Sequence, residues 1–75
     1  MKVMMISWTG DTSERHSLIA RAHHQAGAMV PGCAVEVRRD LVNRGPWLQV
    51  SLWRSIFRAP SEEHLDKVHR LLFGG

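Results

Sequence analysis

Tyrosine is absent from this chain of 75 residues, and there are only one cysteine, three prolines, two phenylalanines and three tryptophans. The single thiol, Cys33, excludes a disulfide within the chain. A lone thiol without a signal-peptide pattern fits a reducing cytoplasm. Long apolar runs are missing too. The opening Met-Lys-Val-Met-Met-Ile-Ser-Trp is too short for a signal-peptide core, and no uncharged run reaches the ~20 residues that a spanning helix needs, so no membrane association is expected. There is no HxxxH, no HExxH and no cysteine cluster, which leaves no strong catalytic motif and makes a non-enzymatic role the first expectation.

What remains is one small domain, residues 1–75. A core of this size is marginal alone, so oligomerisation or a metal is expected to support it. Lysine and arginine outnumber aspartate and glutamate by 10 to 7, for a formal charge of +3. Arg38, Arg39, Arg44, Arg54 and Arg58 all fall within residues 38–58. This excess permits an anionic partner without demanding one. Glu14, Glu62, Glu63 and Asp66 stand where helices should begin and complement their N-termini.

Hydrophobic periodicity gives the order β-α-β-β-α. Lys2 to Trp8 alternates as a strand with Met4, Ile6 and Trp8 on one side and Val3 and Met5 on the other. Asp11 or Thr12 can cap a helix over about 13–25, with Leu18, Ile19, Ala22 and Ala26 as its apolar stripe and Gly27 as its stop. Pro31-Gly32 breaks the chain before a short strand over 34–39. Asn43-Arg44-Gly45-Pro46 is turn chemistry leading into a long strand over 47–57, so the two strands should form a hairpin. Ser61 is the expected N-cap of a second helix that buries Leu65, Val68 and Leu72.

This order predicts an α+β, ferredoxin-like fold: an antiparallel sheet, two helices on one face, and the usual last strand missing. The long strand is apolar on both sides. Leu48, Val50, Leu52 and Ile56 are expected beneath the helices. Trp47, Trp53 and Phe57, with Trp8, are expected on the bare face as a subunit contact or ligand face.

Five histidines in so short a chain suggest a second feature. His16 and His23 share one side of the first helix, and His23 and His69 can approach across the two helices. Neutral imidazole suits nickel, zinc and copper, which makes His23 and His69 the candidate ligands of a divalent transition metal, nickel or zinc.

Ala22-His23, the run Phe57-Arg58-Ala59-Pro60-Ser61-Glu62-Glu63, and Lys67-Val68-His69-Arg70 together resemble a family of small bacterial ferredoxin-like proteins of the dimeric α/β-barrel type, a domain of unknown function that includes nickel-binding members. The resemblance implies a homodimer formed through the bare sheet faces and, in some members, a histidine-lined metal site. The family continues into another strand after the second helix and carries further histidines on its first strand; this sequence shows neither.

Three functions follow as expectations. The first is a small homodimer that binds a divalent metal or small ligand through histidines. The second is single-stranded nucleic-acid binding, with bases stacked on the aromatics of the bare face. The third is a small dimeric-barrel monooxygenase, cofactor-independent or haem-related, with Trp53, Asn43 and His64 or His69 cast in the pocket roles.

Overall fold

The computed structural model describes residues 1–10 and 14–74, with residues 14–16 described as backbone alone. The predicted caps Asp11 and Thr12, the helix start at Ser13 and the side chain of His16 lie outside the described residues. The elements are β1 (Lys2–Gly10), α1 (Glu14–Ala28), β2 (Ala34–Gly45), β3 (Leu48–Ala59) and α2 (Glu62–Phe73). The sheet order is β1-β3-β2 and both pairings are antiparallel. This is the α+β, ferredoxin-like arrangement without its last strand, and β1 forms one edge of the sheet.

The hairpin is longer than its sequence suggests. β2 runs on to Gly45 and β3 begins at Leu48, leaving Pro46 and Trp47 as the loop. The register slips between Asn43 and Gly45, so Arg44 is an extra residue, and Gly45 takes a positive φ of 157° beside it. β1 pairs with β3 only as far as Ser51. Beyond that point the hairpin continues as a two-stranded arm, in a molecule 43 Å long and 23 Å across.

The core holds Ala26, Val30, Phe57, Ala59, Leu65 and Val68, with Met4, Ile6, Cys33, Val35 and Leu72 packed against it. This reverses the expected faces of β3. Ser51, Ser55, Phe57 and Ala59 are the buried residues of that strand, and Trp53 shares their side. Leu48, Val50, Leu52 and Ile56 alternate onto the bare face together with Arg54 and Arg58. The physical reason lies in those two arginines, which share the row of the aliphatic residues. Burying two guanidinium groups beneath helices would cost far more than burying the aliphatic side chains returns. The opposite row has no charge, and its serines and alanine are small enough to let the helices approach the backbone.

Gly27 does not end α1. It is buried inside the helix, and a Cβ there would lie 2.9 Å from both Cβ and Cγ1 of Val35 on β2. Its small size sets how closely the helix meets the sheet. The buried stripe of α1 is His23, Ala26 and Gly27, continued by Val30 just past the helix end, with Ile19 half-buried, whereas Leu18 is exposed. Gly32, with φ of 85°, makes the turn into β2. α2 buries Leu65 and Val68 and half-buries Leu72, as its periodicity predicts. Ser61 stands at its N-cap in extended conformation but makes no side-chain cap bond. Its Oγ shares a 2.6 Å hydrogen bond with His64 Nδ1 instead.

Candidate functional site

The centre of chemical interest lies on the helix-covered side of the sheet. Trp8 on β1 and Trp53 on β3 are directly opposite in register. Their rings stack with centroids 5.8 Å apart and planes 9° from parallel. Cross-strand aromatic pairs of this kind hold two strands in register. Arg39 on β2, the partner of Trp53 on the other side, sets its guanidinium carbon 5.6 Å from the Trp53 ring centre. The result is a cation over a stack of two indoles.

His23 enters this group from α1. Its ring meets Trp8 edge-on at 4.8 Å and lies 6.0 Å from Phe57. It is 6% exposed, and Nδ1 shares a 2.7 Å hydrogen bond with Ser55 Oγ, which is fully buried on β3. Burial pushes the His23 pKa below its ordinary value of 6.5, and the neighbouring His24 adds to the shift. The imidazole is therefore neutral at neutral pH. Each partner explains the other: a buried imidazole needs a polar contact, and a serine buried in the middle of a sheet needs one too.

Beside His23 a cavity of about 370 Å³ opens between sheet and helices. Ile6 and Trp8 of β1, Ile19, Ala22 and His23 of α1, and Leu72 and Phe73 of α2 line it. The described walls are thus apolar apart from the imidazole. Nδ1 is engaged by Ser55, and no described residue bonds Nε2. Trp8 Nε1 is buried without an acceptor among the described residues.

The other predicted site residues lie elsewhere. Trp47 is at the tip of the hairpin, 96% exposed. His69 is exposed, and its ring rests on Phe73 at 4.7 Å. It is not among the side chains that line the cavity of His23. His64 is held by Ser61 at the start of α2, and Asn43 pairs with Gln49 in the hairpin arm. Trp53, Asn43, His64 and His69 therefore occupy separate parts of the molecule. Of the four predicted aromatics, Trp8, Trp53 and Phe57 do come together, but beneath the helices and not on the bare face. Ser55 was not singled out from the sequence. The signal that could have found it is a small hydroxyl residue in the uncharged row of the central strand.

The described donor set around His23 falls short of a divalent-metal site. Among the described residues no group of three or more His, Cys, Asp or Glu side chains could hold one. One imidazole nitrogen in an apolar cavity falls short of the three or four ligands such ions take. Cys33 packs against the core, and burial pushes its thiol pKa up, away from the thiolate that a metal would need. No family model, curated protein or solved structure matches this chain. Among the described residues no helix is long and apolar enough to cross a membrane.

Proposed function

We propose that the chain is a homodimeric small-ligand-binding protein, its subunits joined through the bare sheet face and each carrying a ligand site at His23. The observation that carries this reading is the division of labour across the sheet. One face is roofed by helices and holds the cavity; the other is uncovered and only half polar.

The uncovered face has an apolar centre. Val3 and Met5 of β1, each 59% exposed, lie beside Ile56 of β3, followed by Leu52, Val50 and Val42 toward the arm. Charges interrupt and border this strip: Arg54 stands between Leu52 and Ile56 on β3 with Arg58 beyond, and Glu36, Arg38 and Asp40 lie alongside on β2. Glu36 accepts a 2.7 Å hydrogen bond from Arg38 and a 3.5 Å one from Arg58. Three arginines and two carboxylates nearly cancel, so a second copy meets both signs and no strong repulsion. A nucleic acid would find little net charge and no aromatic ring to stack on, since Trp8, Trp53 and Phe57 lie on the opposite side. The two-stranded arm, with Leu41, Val42, Trp47 and Leu48 exposed, adds further apolar surface for a partner subunit.

Sedimentation equilibrium tests the reading directly. The wild-type mass should correspond to two chains and that of Ile56→Glu to one, because a carboxylate in the middle of a desolvated contact is strongly unfavourable. A monomeric wild type would overturn the dimer. Calorimetric titration with nickel, zinc and a single-stranded oligonucleotide completes the test: binding of the oligonucleotide to wild type, lost in Arg54→Ser, would favour the nucleic-acid reading instead.

A further inference from the structure

We infer that the cavity beside His23 takes a small uncharged aromatic molecule bearing one hydroxyl group, with the ring among the apolar walls and the hydroxyl on His23 Nε2. The inference rests on the ligand-binding part of the reading above and specifies the ligand's chemistry.

The walls decide the body of the ligand. Six of the seven described lining residues are apolar, and two of those, Trp8 and Phe73, are aromatic. A volume of about 370 Å³ is at the small end for ligand pockets, which suits a molecule of one or two rings. Among the described residues no charged side chain lines the cavity, so an ionic ligand would lose its hydration without gaining a counter-charge from them.

The imidazole decides the polar group. Ser55 holds Nδ1 and thereby fixes the ring, leaving Nε2 as the nitrogen that no described residue bonds. The Ser55 hydroxyl can give or take the proton on Nδ1, so Nε2 is either an acceptor or a donor. A ligand hydroxyl serves both cases because it donates and accepts. A carbonyl serves only one, and a hydrocarbon leaves the nitrogen unpaired. Trp8 contributes the flat apolar surface of its ring to the wall. One polar nitrogen in a mostly apolar hollow is the pattern of a small-molecule site, where a few polar groups fix the ligand's orientation.

Heteronuclear NMR titration of the full chain with p-cresol, toluene, benzoate and nickel ion tests this. p-Cresol should shift the Ile6, Ala22 and Leu72 resonances and the His23 ring nitrogens saturably. Toluene should bind on the order of tenfold more weakly, the value of one hydrogen bond, and benzoate and nickel should leave these signals unmoved. Ala22 is exposed on α1 at the cavity wall, so Ala22→Phe can close the hollow without disturbing the core; it should abolish the p-cresol shifts. Benzoate or nickel acting on His23 in place of p-cresol would overturn the ligand class while leaving a ligand site there. Toluene binding as tightly as p-cresol would overturn the role of Nε2. Silence from all four probes, or p-cresol shifts unchanged in Ala22→Phe, would overturn the site itself.

Discussion

His23 stands where a leucine would suffice for packing, in the stripe that continues through Ala26 and Val30. A buried imidazole is tolerated there because Ser55 bonds it and because burial keeps it neutral. Removing the hydroxyl leaves Nδ1 unpaired in the core. Ser55→Ala should therefore lower stability by about 1–3 kcal/mol, read from urea unfolding. The same residue makes the fold acid-sensitive. The folded-state pKa of His23 is below 6.5, the value that the unfolded chain regains. Below that pH the unfolded state binds more protons than the folded one. The stabilising contribution of the neutral ring is complete above 6.5 and is lost as pH falls from there through the folded value. Urea midpoints at about pH 8 and about pH 5 should differ less in His23→Leu than in wild type; an unchanged difference would assign the sensitivity to other groups. Gly27 acts by what it lacks. Alanine is the better helix former by about 1 kcal/mol, yet its methyl would meet Val35 at 2.9 Å, at the base of that side chain where nothing can swing aside. Gly27→Ala should accordingly lower stability, by a net loss of up to about 2 kcal/mol once overpacking is set against propensity.

At the scale of elements, β3 carries the main lesson about what a sequence discloses. The order of the strands and helices was legible because each element keeps its own period, and α2 buries the residues its stripe predicts. The facing of β3 was not, because both rows of that strand are rich in apolar residues. Counting aliphatic side chains favours the row of Leu48, Val50, Leu52 and Ile56. Weighing Arg54 and Arg58 favours the other, and the charges win, since two arginines have no place under helices. The hairpin is longer than its sequence suggests for a related reason: its outer half lacks a third strand and two covered faces, so Leu41 and Val42 look like loop residues in a strand that continues past them. His23 was visible as a histidine beside a stripe, but its partner was not, because a contact between α1 and the centre of β3 depends on which row faces inward. Two substitutions separate the alternatives. Phe57→Ala should cost about 3–5 kcal/mol, as the loss of a fully buried ring does. Trp47→Ala should change the stability of the dissociated chain by no more than about 0.5 kcal/mol, as is usual at exposed positions. Equal effects in dilute solution would contradict the observed facing.

The whole molecule has an imbalance that association would correct. Its core of Ala26, Val30, Phe57, Ala59, Leu65 and Val68 is small, while Val3, Met5, Leu41, Trp47 and Leu48 remain exposed on the open face and the arm. Small domains seldom have stability to spare. Covering a large side chain contributes about 1.5–3 kcal/mol, so a two-fold contact that hides several of these residues in each subunit adds a substantial part of the total. Stability gained through a partner depends on mass action, whereas stability gained within one chain does not. Each tenfold rise in protein concentration should stabilise a dimer that unfolds to separate chains by about 1.4 kcal/mol of dimer. The melting temperature should therefore climb with concentration in wild type and stay flat in Ile56→Glu, while the His23–Ser55 contact on the far side of the sheet is unaffected by that substitution. A wild-type melting temperature independent of concentration would mean that this chain holds its fold without a partner on the open face.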